Sequence, residues 1–275
     1  MLELPEACII AKQINDTVRG KKITNVIANH SPHKFAWYFG DPQNYRALLL
    51  NKTIDAAVSY GGLIEIKAGN AAMVFGDGVA LRFFNAGEKL PDKHQLLIMF
   101  EDSTAICASV QMYGGLWCFI EGEFDNLYYK VARKKPSPLT EEFDWNYFFR
   151  LVSLPDVQKL SAKAFLTTEQ RIPGLGNGVL QDILYEAKIH PRKKLSTFSE
   201  KNKEELFRAV KFILGRMVLE SGRDTEKDLF GHTGGYKTRL SKKTVATQCQ
   251  TCGNIIKKEN YLGGSIYYCE GCQVK

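Results

Sequence analysis

Cys249-Gln250-Thr251-Cys252 and Cys269-Glu270-Gly271-Cys272 set two C-x-x-C pairs sixteen residues apart. Two residues between cysteines let both thiolates of a pair reach one ion, and two such pairs complete a closed tetrahedral cage of the kind Zn2+ prefers. In a chain without an export signal this pattern reads as metal rather than disulfide. Between the pairs, residues 254–258 and 265–268 read as strands of a hairpin turning at Leu262-Gly263-Gly264. The expected cofactor is therefore one structural Zn2+ on Cys249, Cys252, Cys269 and Cys272. Such a ribbon can staple a small fold without any further role. The lysines around it tilt the reading towards DNA.

Upstream, the period of the sequence changes twice. Residues 141–240 carry helical patterns at 157–166, 178–187 and 200–220; the last puts Leu206, Ala209, Val210, Ile213 and Met217 on one face, with Thr197 and Glu200 as a candidate capping box. Residues 1–131 read as a leading helix over 6–18, with Ala7, Ile10, Ala11, Ile14 and Val18 on one face and Gly20 beyond its end. Short apolar runs follow at 54–58, 63–67, 72–75, 79–84, 95–100, 104–109 and 115–120, spaced as in a β-sandwich or barrel. Residues 132–140, with Arg133, Lys134, Lys135, Pro136 and Pro138, read as a linker. The expected class is α+β: an N-terminal sandwich domain (1–131), the linker, a helical domain (141–240) and the finger (241–275).

The 275 residues carry a net charge of +7, and 44% are hydrophobic. Basic residues gather in 190–275, among them Arg192, Lys193, Lys194, Lys237, Arg239, Lys242, Lys243, Lys257 and Lys258. A basic balance favours a polyanion through attraction to phosphates and counterion release. No apolar run reaches the ~18 residues of a membrane span, and the acidic start with Glu3 and Glu6 does not read as a secretory signal. The expectation is a cytoplasmic protein, nucleoid-associated if bacterial, with no membrane partner. Cys8, Cys107 and Cys118 stand in apolar surroundings and read as free thiols.

Gly174-Leu175-Gly176-Asn177-Gly178 lies between two helices. It reads either as a tight turn with Asn177 as cap, or as a phosphate cradle in which the backbone at Gly176 and the Asn177 amide meet an anion. The turn does not read as a dinucleotide site, since no strand precedes the glycines and no βαβ unit follows.

Three separated motifs in order resemble the Fpg/Nei DNA glycosylases with a helix–two-turn–helix domain. These are Leu2-Glu3-Leu4-Pro5-Glu6 at the start; Pro173-Gly174-Leu175-Gly176-Asn177 with Leu184-Tyr185-Glu186-Ala187 and Ile189-His190-Pro191; and the finger that follows Gly234-Gly235-Tyr236. The resemblance implies a protein of base excision repair, expected as a monomer, that binds damaged double-stranded DNA and flips out a base. It implies catalytic roles for Glu3, as acid/base near the sugar, and Glu6, which positions the N-terminus. It implies DNA contacts at Asn177, Gly176 and Tyr236. Met112 or Tyr113 is the candidate, in place of the family's arginine, to fill the gap left by the extruded base. The bland alternative for both acids is a favourable place near the N-terminal end of a helix.

The sequence departs from the family where strand cleavage is concerned. Leu2 stands in place of the nucleophilic proline, and its bulk is expected to leave Met1 in place. The Met1 amine could form a Schiff base, but one residue further out than the geometry asks. Ser59-Tyr60-Gly61-Gly62 holds no lysine where the family carries one, and Leu262-Gly263-Gly264-Ser265 and Gln111-Met112-Tyr113-Gly114-Gly115 hold no arginine. The expected function is a DNA glycosylase-family protein with weak or absent lyase activity. The alternative is an inactive lesion- or distortion-recognising protein on the same scaffold. A zinc-ribbon RNA-binding factor would explain charge and finger but neither of the other motifs. Residues 219–236 are a candidate base-covering loop, and Ser31-Pro32-His33-Lys34 is a cluster these motifs leave without a role.

Overall fold

The structure is a computed structural model that describes residues 2–275; Met1, an expected catalytic residue, lies outside the described residues. The chain divides into two compact units. One is the chain up to Arg133 together with Ser221–Gly235, and the other is Lys134–Glu220 with Tyr236–Lys275. Residues 221–235 thus group with the N-terminal unit rather than with the helical segment that the sequence placed them in. No helix among the described residues is long and apolar enough to cross a membrane.

The first unit opens with α1 (Leu4–Val18), β1 (Ile23–Ala28), β2 (Ala36–Trp37) and α2 (Tyr45–Leu49). It continues with β3 (Ile54–Tyr60), β4 (Leu63–Ala68), β5 (Ala71–Phe84), β6 (Leu96–Phe100) and β7 (Ala105–Ile120), and α3 (Leu127–Lys134) closes it. Hydrogen bonding runs β1-β6-β7-β5-β4-β3, with β2 on β7. The four separate runs expected at 72–75, 79–84, 104–109 and 115–120 are two long strands, β5 and β7. The alternation breaks because a bulge falls between Asp77 and Val79. Gly78 sits in that bulge, where a Cβ would stand 2.5 Å from the Tyr113 carbonyl oxygen. β6 pairs only with the first part of β7, and β4 only with the first part of β5. The sheet therefore has two halves, and both bury side chains in one core: Val26, Ile98 and Ile106 from one, Ile66, Phe75 and Leu116 from the other. That shared core makes it a sandwich. α1 adds Ala7, Ile10, Ala11, Ile14 and Val18, the face its periodicity predicts, and starts two residues earlier because Pro5 is favourable in a first turn.

α3 occupies the start of the segment expected as linker. Its Tyr129 and Ala132 are buried against Phe119 and Phe124. The charge run Arg133-Lys134-Lys135 hid this helix, since Arg133 lays its guanidinium over the Tyr60 and Tyr129 rings. Cys107 and Cys118 are buried strand residues, and burial pushes their thiols up to about 11 and about 12; Cys8 is half-buried.

The second unit contains α4 (Trp145–Ser153), α5 (Ala162–Thr167), α6 (Val179–Glu186), α7 (Glu200–Leu219) and the hairpin β8 (Lys257–Tyr261) with β9 (Gly264–Tyr268). Asp144 and Ser161 cap α4 and α5 by accepting from Tyr147 N and Ala164 N. The capping box of α7 is Ser199 with Asn202, two residues after the expected Thr197 start. Ser199 is the residue that takes the extended backbone a cap needs, whereas Thr197 ends a 3-10 turn. The hairpin turns on Leu262 and Gly263, both at positive φ, as a two-residue connection requires. β8 begins at Lys257, later than expected, because Ile255 pairs instead with Gln248 at the first cysteine pair.

Candidate functional site

Glu3 and Glu6 share a partner. Glu6 takes Arg223 in a fork, Nε to Oε1 at 2.9 Å and Nη2 to Oε2 at 2.7 Å. Glu3 meets the same guanidinium, Oε2 to Nη1 at 3.2 Å. All three are interior residues, 4%, 5% and 2% exposed. Burial alone would lower the Arg223 pKa, but Glu3 and then Glu6 outweigh it and raise it. Glu6 does stand in the first turn of α1, yet its carboxylate is spent on Arg223 rather than on the helix end.

Arg223 reaches this place through the loop Ser221–Gly235. Ser221 and Gly222 take positive φ and turn the chain out of α7. Gly234 closes the neck: its N–H donates to the Arg223 carbonyl at 3.2 Å, and a Cβ on it would stand 2.1 Å from the Gly222 carbonyl carbon. Further along, Arg82 Nη1 donates to the Asp228 carbonyl at 2.6 Å, Gln13 bonds both Asp228 and Leu229 N, and Leu229 is fully buried in the sandwich core. Sequence reasoning missed Arg223. The available signal was an arginine among glycine and serine after a long helix, in a chain with two acids three residues apart at its start.

A cleft of about 240 Å³ is lined by Leu2, Glu6, Gly78, Arg82, Gln111 and Lys227 among others, so Glu6 is the member of the cluster that reaches it. Leu2 is buried, and its N–H donates to the Asp77 carbonyl at 2.7 Å. Burial raises the Asp77 carboxyl pKa. Met112 is 67% exposed and Tyr113 half-buried, on the strand that supplies Gln111 to the cleft wall.

In the second unit Asn177 does not cap α6, whose N-cap is Gly178. Its Nδ2 donates to the Ser265 carbonyl of β9 at 2.9 Å, while its Oδ1 is buried without a hydrogen-bond partner. Gln181 bonds the same carbonyl at 3.0 Å and accepts from Tyr267 N at 3.0 Å. The glycine turn is thereby latched to the finger hairpin, with Gly176 half-buried beside it. Tyr236, expected to touch DNA, is instead an interior residue at 2% exposure under the Arg216 guanidinium, and its side chain serves packing.

The Sγ atoms of Cys249, Cys252, Cys269 and Cys272 all lie within 4.8 Å of one another. Two of the separations are 3.7 and 3.3 Å. A tetrahedral ion with bonds of ~2.3 Å spaces its sulfurs at about 3.8 Å, so the cluster could hold a metal ion. Tyr185 Oη lies 3.0 Å from Cys249 Sγ, placed to support a thiolate from outside the cage.

No family model matches the chain. Curated relatives match over its full length. The formamidopyrimidine-DNA glycosylases of Bacillus cereus and Wolbachia pipientis are each 26% identical, the first covering 99% of both chains, the second 99% of this chain and 100% of its own. That of Lactobacillus johnsonii is 26% identical over all of this chain and 99% of its own. The chain is thus similar over its full length to formamidopyrimidine-DNA glycosylases of the Fpg/Nei family. Among solved structures, the Lactococcus lactis Fpg in complex with abasic-site DNA has the same fold, with a TM-score of 0.84 at 22% identity over 99% of this chain and 100% of that one. The MutM (Fpg) protein of Thermus thermophilus reaches 0.81 at 22% identity over 98% of both. Leu2, at the position where the sequence departs from the motif it resembles, joins the core with its side chain.

Proposed function

We propose that this protein is a DNA glycosylase of base excision repair that binds damaged duplex DNA, draws one nucleotide out of the stack into the cleft lined by Glu6, and cuts the strand weakly or not at all. The observation that carries the reading is the buried Glu3–Glu6–Arg223 cluster, whose Glu6 lines an open cleft. A fork fixes Glu6, so Glu6 is the structural partner. Glu3 meets Arg223 at 3.2 Å, a longer contact than either arm of the Glu6 fork, and it holds the acid/base place that the resemblance implies, so Glu3 is the group assigned to accept a proton from an attacking water. Lyase chemistry needs an amine, and the backbone nitrogen of Leu2 is an amide bonded to Asp77. The Met1 amine stands as the remaining N-terminal nucleophile. Met112 and Tyr113 are the wedge, and the turn at Gly176 and Asn177 meets the DNA backbone. A single Zn2+ on the four thiolates supplies structure and no chemistry, as a closed cage has no open position.

The test is a panel of lesion-containing duplexes scored separately for base release, strand incision and borohydride trapping, alongside binding to an abasic-site analogue at fixed salt. We expect preferential binding to the analogue, base release on at least one lesion, loss of release in Glu3→Gln, and little trapping. Efficient trapping that disappears when the N-terminal amine is blocked would overturn the lyase part. A second reading, recognition without chemistry, is favoured by the engagement of both acids with Arg223. Lesion-selective binding without base release anywhere on the panel would select it.

A further inference from the structure

The sequence cluster Ser31-Pro32-His33-Lys34 leads directly into Phe35-Ala36-Trp37-Tyr38-Phe39, and the structure shows what that run builds. Side chains alternate along it. Ala36 and Tyr38 face inward, where Tyr38 Oη donates to the Gln95 carbonyl at 3.2 Å, while Phe35, Trp37 and Phe39 face outward. Phe39 is partly covered by Phe119 and Phe124. Trp37 instead packs against Tyr113, ring centroids 5.7 Å apart and tilted by 34°, and stays 44% exposed; Phe35 and Met112 are exposed as well. Lys34 Nζ lies 5.4 Å from the Phe35 ring centroid. Strand pairing fixes the location. β2 lies on β7 with Ala36 opposite Gly114, and Gly114 is in turn opposite Asp77, which holds Leu2 at the cleft. Two strand spacings of about 4.8 Å therefore separate the Ala36 backbone from that of Asp77.

We infer that Trp37, braced by Tyr113, is a stacking platform for an unstacked nucleobase next to the cleft, with His33 and Lys34 set to meet the adjoining phosphate. The inference rests on the DNA-binding reading above and extends it to a segment that reading does not use. Every base offers a π-face, and aromatic rings interleaved with cations are the chemistry of single-strand contact. Continuity with Tyr113, two residues along the strand from the cleft-lining Gln111, together with the neighbouring positive charge, selects a nucleic-acid strand over a protein partner for this surface.

Two measurements test it. In a variant retaining Trp37 as its sole tryptophan (Trp117→Phe with Trp145→Phe), oligo-dT and the abasic-analogue duplex should each quench the fluorescence. Unquenched emission with bound DNA would overturn the platform. Trp37→Ala should weaken binding of the analogue duplex about five- to a hundredfold, and Trp37→Phe should restore most of it, with unchanged thermal melting in both. Wild-type affinity in Trp37→Ala would also overturn it. If lesion preference is absent in the wild type while oligo-dT still quenches Trp37, the platform stands and the glycosylase reading falls. Self-association abolished by Trp37→Ala, with DNA binding unchanged, would make the patch a contact between copies and sink the proposal.

Discussion

At the scale of single residues, the Glu3–Glu6–Arg223 cluster makes an ordering that charge counting fixes. Removing Arg223 as Arg223→Met leaves two carboxylates facing each other in the interior, and one must take up a proton or open the loop. Glu6→Gln leaves Arg223 with one contact to Glu3 at 3.2 Å in place of a fork. Glu3→Gln leaves the fork intact and the pair neutral. Breaking a buried pair costs roughly 3–5 kcal/mol, so Arg223→Met should fall in that range, Glu6→Gln below it and Glu3→Gln lowest, as measured by urea unfolding. Base release should follow a different order, with Glu3→Gln the most damaging despite its near-normal stability. Stability and activity falling in step across the three variants would make Glu3 a structural residue and remove it from the chemistry.

At the scale of elements, the finger is not an appendage. Asn177 and Gln181 tie the glycine turn and α6 to Ser265 and Tyr267. Asp182 on α6 accepts from Arg239 N and Leu240 N at 2.9 Å each, and Tyr185 reaches Cys249. Removing the metal should therefore loosen α6 as well as the hairpin. Hydrogen exchange after chelation should show protection lost at 179–186 together with 257–268, restored by added Zn2+. Loss confined to the hairpin would show the latch to be idle. The elements also show what a sequence discloses. α1, α7 and the four-cysteine finger were legible because a period or a spacing is local. The long strands β5 and β7 were not, since their bulge and glycines interrupt the alternation that betrays a strand. Arg223 and Trp37 were not legible either. Each acquires its role from a partner far along the chain, Glu6 or Tyr113, and no local pattern records such a meeting.

At the scale of the whole molecule, the net charge of +7 acts through the cations that the fold leaves to solvent. Three of the C-terminal basic residues are already occupied: Arg192 by Glu259, Arg239 by Glu186 and Lys257 by Glu270. Lys194, Lys237, Lys242 and Lys258 are exposed. Only a cation that neutralises a phosphate releases a counterion, so the dependence of DNA affinity on salt distinguishes the two groups. Each phosphate contact removed should flatten the slope of log affinity against log salt by about 0.9. Replacing Lys237 or Lys242 by alanine should therefore weaken binding at low salt and flatten the slope by up to that amount. Arg192→Ala should leave the slope nearly unchanged, because its charge is balanced within the fold whether or not DNA is present. An Arg192→Ala slope that falls by a full contact would mean that Glu259 releases it on binding. Unchanged slopes in both lysine variants would place the DNA path away from the segment following Tyr236.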